Sequence, residues 1–297
     1  MTKQTSPNQF VDIQQQVTDK IIEQLEKGTI PWKKPFIGNS GFVYGLPYNF
    51  TTDTNYKGIN ILLLWTSAIE KNYPINEWAT LKQWNKVNET IKPNEKGSLI
   101  VKYDVLEKEK DGEIVKIPYI KKSYVFNRCQ LKSYQPTEIY LTTESLFEKI
   151  DTIDEFISNT GAIIEHEGYE AFYNSREDKI TMPLNENFIV TYDCSASENY
   201  YSTLFHELGH WTKHPTRLNR VNHKKFADQD YAREELVAEL SASFLGAKFE
   251  IVSPELENSA AYISFWLKVL KEDKDVIFTS ASHASKAVEF LEGLQPQ

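Results

Sequence analysis

The chain of 297 residues lacks any run of about 18 apolar residues, so the sequence predicts no membrane-spanning helix. Its first residues lack the apolar segment of a secretory signal peptide, and we therefore expect a cytoplasmic protein. Only two cysteines are present, Cys129 and Cys194. They are far apart and form no CxxC pair, which excludes a disulfide framework and fits a reducing compartment.

The net charge of −9 conceals an asymmetry between the two halves of the chain. Residues 1–135 contain 19 Lys and Arg against 14 Asp and Glu, whereas residues 136–297 contain 14 against 28. An excess of basic residues in one region of an otherwise acidic protein is a common feature of nucleic-acid-binding proteins. Ordinary variation between surfaces is the alternative. The asymmetry predicts two units with different partners.

Hydrophobic periodicity predicts an α+β fold with two domains, residues 1–135 and 143–297. In the first domain it predicts helices ending near Gly28 and at 58–71 and 77–88, then strands at 98–106 and 113–130 joined by a hairpin at Asp111-Gly112. In the second it predicts a helix at 143–159, strands at 162–166, 169–173 and 178–182, and helices at 197–213, 229–249, 257–272 and 279–293. The Pro-containing stretch 133–142 indicates the boundary.

Residues 206–210 read His-Glu-Leu-Gly-His, which matches the pattern H-E-x-x-H. On a helix, residues four apart lie one turn above each other, so both imidazoles can face one metal ion. Glu207, beside the first histidine, then reaches a metal-bound water. Because such pentapeptides also occur by chance, the pattern needs a third ligand to support it.

The helix that follows offers that ligand in its acidic residues. Glu235 and Glu239 are four apart and share a face, within a helix that is otherwise largely apolar. A solvated helix face is the alternative, but buried carboxylates need partners, and a metal with two histidines provides them. We assign Glu235 as the third ligand and expect Glu239 to accept the free ring N–H of His206.

Three further residues are candidates near this site. His214 is a rival ligand four residues after His210, but Pro215 follows it, and we expect a surface position. His223 or Tyr231 could stabilise an oxyanion, and spacing does not decide between them. Residues 178–183 read as a strand that could be an edge for pairing with a peptide, or an ordinary core strand.

The predicted chemistry is metal-dependent peptide hydrolysis. The metal lowers the pKa of its water, Glu207 accepts the proton as general base, and the same carboxyl returns it to the leaving amine. The ligand set favours one Zn²⁺ per chain, and Mn²⁺ or Co²⁺ could occupy the same ligands.

The chain resembles the ArdC-like antirestriction proteins of conjugative plasmids and mobile elements. The resemblance in the C-terminal half is carried by residues 178–183, 200–212, 217–220 and 231–239. In the N-terminal half it is looser but ordered, through residues 31–32, 47–49, 56–60, 78–80 and 96–97. Phe36 departs from the family, which often has Trp there, although a Phe can still stack on a base.

The resemblance implies an N-terminal single-stranded DNA-binding domain and a C-terminal zincin-like metallopeptidase domain, in which a small sheet and a helical bundle carry HExxH. It also implies protection of incoming DNA from host restriction. Aromatic residues interleaved with lysines fit single-strand binding with little sequence preference. The candidate DNA contacts are Trp32, Lys33, Lys34, Tyr56, Lys57, Lys82, Lys121 and Lys122, and core packing is the alternative for the aromatic residues.

Three functions therefore compete. The first is a single-stranded DNA-binding protein that carries a zinc peptidase acting on an unidentified protein substrate. The second is a DNA-binding protein whose metal site is structural or vestigial. The third is a plain cytoplasmic zinc peptidase whose N-terminal half binds a protein. The intact Glu207 favours the first, because a purely structural site needs no general base.

Overall fold

A computed structural model describes residues 12–33, 45–110, 113–136, 146–190, 194–220, 227–251 and 259–296. These segments form eight α-helices and eight β-strands. No helix among them has the length and apolar character needed to cross a membrane. The predicted two-domain α+β fold is confirmed.

The N-terminal domain combines a mixed sheet with three helices. The strands are β2 (Thr54–Asn55), β1 (Tyr48–Asn49), β3 (Glu77–Ala79), β5 (Glu113–Asn127) and β4 (Ser98–Lys110), in that order across the sheet. Only the β1–β3 pair is parallel. The helices are α1 (Ile13–Glu26), α2 (Ile59–Glu70) and α3 (Leu81–Lys86). The predicted hairpin is formed by β4 and β5, and its turn residues lie outside the described part of the chain.

The predicted helix at 77–88 is wrong in its first half, where the chain forms β3 instead. A capping box sets the boundary: the Gln83 backbone N–H donates to Thr80 Oγ1 at 3.3 Å, and the Thr80 backbone N–H donates to Gln83 Oε1 at 2.9 Å. Thr80 is extended, as an N-cap residue requires, so the helix begins only at Leu81.

The C-terminal domain contains a three-stranded sheet and five helices. Helix α4 (Leu146–Thr160) ends at Gly161, whose positive φ of 69° suits the left-handed position after a helix. The sheet order is β6 (Ile163–His166), β8 (Lys179–Met182) and β7 (Phe172–Asn174). Four helices follow, namely α5 (Ala196–Trp211), α6 (Ala227–Phe249), α7 (Ser259–Glu272) and α8 (Val276–Gly293).

Of the two interpretations of residues 178–183, the ordinary core strand is confirmed and the edge strand is wrong. Strand β8 is the middle strand, parallel to β6 and antiparallel to β7. Ile180 and Met182 are fully buried in the core. Their burial is typical of a central strand. Any peptide that extends this sheet pairs with β6 or β7.

One apolar core extends across both domains. Trp32, which follows α1, is fully buried and meets Trp266 of α7 edge to face, with ring centroids 5.2 Å apart. On α2, Trp65 contacts Phe244 of α6 at 5.8 Å. The backbone N–H of Gly58 donates to a serine on α8 at 2.7 Å. This packing holds the N-terminal helices against the bundle that carries the HExxH motif.

Candidate metal centre

Helices α5 and α6 bring two histidines and a glutamate together. The Nε2 atoms of His206 and His210 are 3.1 Å apart. One carboxylate oxygen of Glu235 lies 3.4 Å from His206 Nε2, and the other lies 3.4 Å from His210 Nε2. Among the described residues, these three side chains form the one cluster with ligand atoms close enough to hold a metal ion.

Close packing of the two helices allows this convergence. A Cβ atom at Gly209 would lie 3.0 Å from the Cα atom of Ala238 and 3.2 Å from Cβ of Ser241. These distances are tighter than most Cβ contacts in proteins, so a side chain at position 209 would require its neighbours on α6 to shift by a few tenths of an ångström. The small residues on α6 complete the contact, which places Glu235 beside both imidazoles.

The donor set fits a divalent cation. Tetrahedral zinc sites have metal–nitrogen distances of about 2.0–2.1 Å, which separate two ligand atoms by about 3.3 Å. The separations of 3.1 and 3.4 Å in this cluster are close to that value. Two imidazoles and one carboxylate also leave a position open for a water or a substrate, as in catalytic zinc sites.

Each histidine has a carboxylate on its other ring nitrogen. Glu239 Oε1 lies 3.3 Å from His206 Nδ1, and Glu234 Oε1 lies 3.3 Å from His210 Nδ1. Both arrangements fix the imidazole with Nε2 directed at the cluster, which is how carboxylates orient metal-binding histidines. The sequence singled out Glu239 but not Glu234. The available signal was helical spacing: Glu234 lies four residues before Ala238, so both are on the same, buried side of α6.

A buried arginine supports Glu234. Arg220 donates from Nη2 to Glu234 Oε1 at 2.8 Å and from Nε to Oε2 at 3.2 Å. It also donates to the carbonyl of Gly209 and the hydroxyl of Thr212, both at 2.7 Å. The side chains of Arg220 and Glu234 are each only 7% exposed. Arg220 therefore joins the carboxylate behind His210 to the end of helix α5.

The surrounding carboxylates give the cluster a strongly negative electrostatic potential. Burial disfavours a charged His206, but the hydrogen bonds to Glu235 and Glu239 and the charges of Glu239 and Glu207 outweigh it and raise the pKa of His206 well above its usual value. Burial likewise opposes ionisation of Glu235, yet its histidine partners hold its pKa far below the usual range. A site that attracts a proton so strongly also attracts a metal cation.

Glu207 differs from the other buried carboxylates. It is only 6% exposed, and among the described residues no donor hydrogen-bonds to its carboxylate. Burial of an unpaired carboxylate is costly unless a ligand or water supplies a partner. Glu207 follows His206 directly in the sequence and forms no ion pair with a described residue, so its carboxylate is not committed to a structural ion pair.

The other residues predicted near the site have different positions. His214 lies outside the cluster, where its Nδ1 is 2.8 Å from the hydroxyl of Thr216. Tyr231 is 56% exposed and lies on α6 one helical turn before Glu235. His223 lies outside the described residues. A role for Tyr231 as an oxyanion donor therefore stays a prediction.

Several of the predicted DNA contacts have other partners. Trp32 as a stacking platform is wrong, because its ring is fully buried against Trp266. Tyr56 is half-buried against the core, and its hydroxyl accepts from Asn49 Nδ2 at 3.3 Å. Lys33 lies close enough to Glu239 for its charge to lower the pKa of that buried carboxyl, after the larger effects of burial and His206.

The remaining predicted lysines lie on several surfaces. Lys57 pairs with Glu289 of α8, and Lys122 donates to Gln16 of α1 at 2.7 Å. Lys82 and Lys121 are exposed. Lys34 and Phe36 lie outside the described residues. The structure thus does not gather the predicted contacts into one site.

Comparison with known proteins agrees with this architecture. Residues 151–283 match the model of a zincin-like metallopeptidase family, and residues 11–126 match the N-terminal domain of the anti-restriction factor ArdC. The metal-free crystal structure of antirestriction protein ArdC from plasmid R388 is 37% identical, with a TM-score of 0.77 over 95% of this chain and 97% of that one. Its Mn(II)-bound structure is 36% identical, with a TM-score of 0.74.

Two curated proteins are also similar. The uncharacterized protein y4eC of Sinorhizobium fredii is 29% identical over 99% of this chain and 96% of its own length. A DNA primase TraC of Escherichia coli is 32% identical over 93% of this chain, which spans 27% of the length of TraC.

Fold and site together define a two-domain protein whose second domain is a zincin-like metallopeptidase domain. The chain belongs to the ArdC-like antirestriction family.

Proposed function

We propose that this protein binds single-stranded DNA and carries a metal-dependent peptidase site, and that it protects incoming plasmid DNA from restriction in the recipient cytoplasm. The observation that carries the peptidase assignment is the cluster of His206, His210 and Glu235 beside an unpaired, buried Glu207. The R388 relative binds Mn(II), which supports a divalent cation at the equivalent residues. We propose Zn²⁺ as the native metal, with Mn²⁺ or Co²⁺ as substitutes.

In this proposal, His206, His210 and Glu235 hold the cation, while Glu239 and Glu234 fix the two imidazoles. When bound, the cation supplies Lewis-acid polarisation of a carbonyl and lowers the pKa of a water molecule. Glu207 accepts a proton at its free carboxylate and delivers it to the leaving amine.

We expect Glu207→Gln to leave metal binding intact and to reduce peptide cleavage by at least about 10²-fold. The carboxylate acts as base, not ligand, and proton transfer by a positioned side chain contributes about 10²–10⁴-fold. The measurement is cleavage of a complex peptide mixture by metal-loaded protein, read by mass spectrometry, with metal content determined in parallel.

Glu167→Gln is the matched control for this experiment, because it removes an exposed carboxylate from the same domain. It should retain the cleavage rate of the parent. Equal rates for Glu207→Gln and the parent would remove Glu207 from the mechanism. A parent protein that binds DNA and metal but cleaves nothing in the mixture would favour the second hypothesis, in which the metal site is structural.

The hairpin offers a surface for the DNA backbone. Lys102 on β4 lies directly opposite Lys121 on β5, and both are exposed. Like charges at facing positions destabilise a strand pair unless an anion lies between them. Two residues further along the same face, Tyr119 is 41% exposed and donates to Asp104 at 3.0 Å. A phosphate held by the lysines and a base stacked on the tyrosine fit single-strand recognition.

We expect Lys102→Glu/Lys121→Glu in the full-length protein to weaken single-stranded DNA binding by about tenfold or more. It should also lower the slope of log K against log salt by about 1.4, since each phosphate contact with a single strand contributes about 0.7. Fluorescence anisotropy of a labelled oligonucleotide at several salt concentrations measures both quantities.

The double variant Lys248→Glu/Lys268→Glu is the control, because it makes the same change in net charge on helices α6 and α7. It should keep the parent salt slope. If the hairpin variant also kept that slope, the hairpin would not be the DNA surface. The full chain is used because removal of residues 136–297 would expose the buried face of α1.

A further inference from the structure

A cavity of about 550 Å³ adjoins the residues that support the metal centre. It lies among α6, α8 and the turn that follows α5. Small-molecule sites in proteins have volumes of about 300–1,000 Å³, so this cavity has the size of a ligand site. Its polar lining includes Arg220, Asp230, Glu234, Ser280, His283 and Lys286. Nothing in the proposed peptidase or DNA-binding activity uses it.

Two polar side chains in this lining have oxygen atoms without a hydrogen-bond partner among the described residues. Ser280 is only 3% exposed, and its hydroxyl hydrogen-bonds to no described residue, whereas the adjacent Thr279 donates to a backbone carbonyl of its helix at 2.9 Å. One carboxylate oxygen of Asp230 is buried and likewise unpaired. Because buried polar groups are normally hydrogen-bonded, the unpaired oxygen of Asp230 indicates a ligand or ordered water in the cavity, and the Ser280 hydroxyl is available to the same ligand.

The cavity lining also contains cationic side chains. Lys286 is exposed and forms no ion pair with any described residue. His283 lines the same part of the cavity, and burial, with smaller contributions from the charges of Arg220 and Lys286, lowers its pKa. Arg220 uses four of its five N–H groups in hydrogen bonds to described residues, which leaves one for a ligand.

We propose that this cavity binds a small organic anion that also presents a hydrogen-bond donor, and that a mononucleotide has the required chemistry. The anionic group lies against Lys286, His283 and Arg220. The donor, such as a base N–H, lies against the unpaired oxygen of Asp230, and Ser280 completes the polar contacts. An amino acid shares this combination of an anion and a donor and serves as the competing source.

The cavity is linked to the metal centre, and this part rests on the proposed function. Arg220 and Glu234 line the cavity, and Glu234 holds His210 Nδ1. An anion near Arg220 weakens the electrostatic attraction between Arg220 and Glu234. Glu234 then accepts a stronger hydrogen bond from His210, and the imidazole of His210 becomes a better metal ligand. Coupling is reciprocal, so ligand and metal each increase the affinity for the other.

The test is isothermal titration of metal-free, full-length protein with deoxyadenosine monophosphate and, separately, with glutamate. We expect saturable binding at one site, weakened by about tenfold or more in Lys286→Glu. Ser280→Ala should weaken it too, with the parent melting temperature as evidence of an intact fold. Lys268→Glu, an exposed lysine of α7 outside the cavity wall, should leave it unchanged.

The probe that binds identifies the anion as phosphate or carboxylate. Absence of saturable binding by both probes, or binding that neither variant alters, would overturn the proposal. A saturating probe should increase Mn²⁺ affinity by about fivefold, the lower end of typical coupling, in the parent but not in Lys286→Glu. Binding without that increase overturns the coupling alone. A protein that binds no Mn²⁺ refutes the metal centre and leaves the cavity result standing.

Discussion

We expect replacement of both His206 and His210 with alanine to abolish stoichiometric binding of a divalent cation, whereas the parent protein should bind about one ion per chain. The two Nε2 atoms supply two of the three protein ligands that the cluster offers, and Glu235 alone cannot retain the ion. The measurement is elemental analysis after gel filtration, made separately for protein loaded with Zn²⁺ and with Mn²⁺.

A second readout comes from stability. A ligand present at 100 times its dissociation constant stabilises the folded state by about 2.7 kcal/mol. The parent should gain this stability on metal addition, and the double variant should gain none. His214→Ala is the control, since it removes a nearby histidine that is hydrogen-bonded to Thr216 outside the cluster. Full occupancy in the double variant would show that the ligand assignment is wrong.

The parts of the candidate site that depend on local spacing could be predicted from sequence. His206 and His210 are four apart on a helix, so their convergence follows from helical geometry alone. Glu235 and Glu239 could be singled out because a carboxylate in an apolar helix needs a partner. The structure places both beside these histidines, at separations of 3.3–3.4 Å.

Contacts between distant segments were not predictable in this way. Arg220 and Glu234 belong to different elements, and their contact depends on how closely α5 and α6 approach at Gly209. The place of β8 in the middle of its sheet depends on which strands pair with it, and the periodicity of a strand contains no information on its neighbours. Both features arise from packing between elements rather than from their sequences alone.

Trp32 shows the same limit for aromatic residues. Between Pro31 and two lysines, it has the sequence surroundings of a base-stacking residue in a loop. In the fold, however, the chain after α1 turns its ring onto Trp266 of the C-terminal domain. The decisive contact is far away in the sequence, so local composition favoured the wrong surface.

Trp32→Ala should therefore destabilise the whole protein by about 3–5 kcal/mol, the usual cost of truncating a fully buried tryptophan. The loss removes the edge-to-face contact with Trp266 and opens a cavity where α1 meets α7, so both domains should unfold at lower denaturant. Denaturation followed by tryptophan fluorescence and by circular dichroism measures the change.

Tyr103→Ala, which truncates a 64% exposed aromatic side chain, is the control, and its free energy of unfolding should stay within about 0.5 kcal/mol of that of the parent. Folded Trp32→Ala protein should bind single-stranded DNA as the parent does. Weakened DNA binding with unchanged stability would restore Trp32 as a stacking residue and contradict its burial.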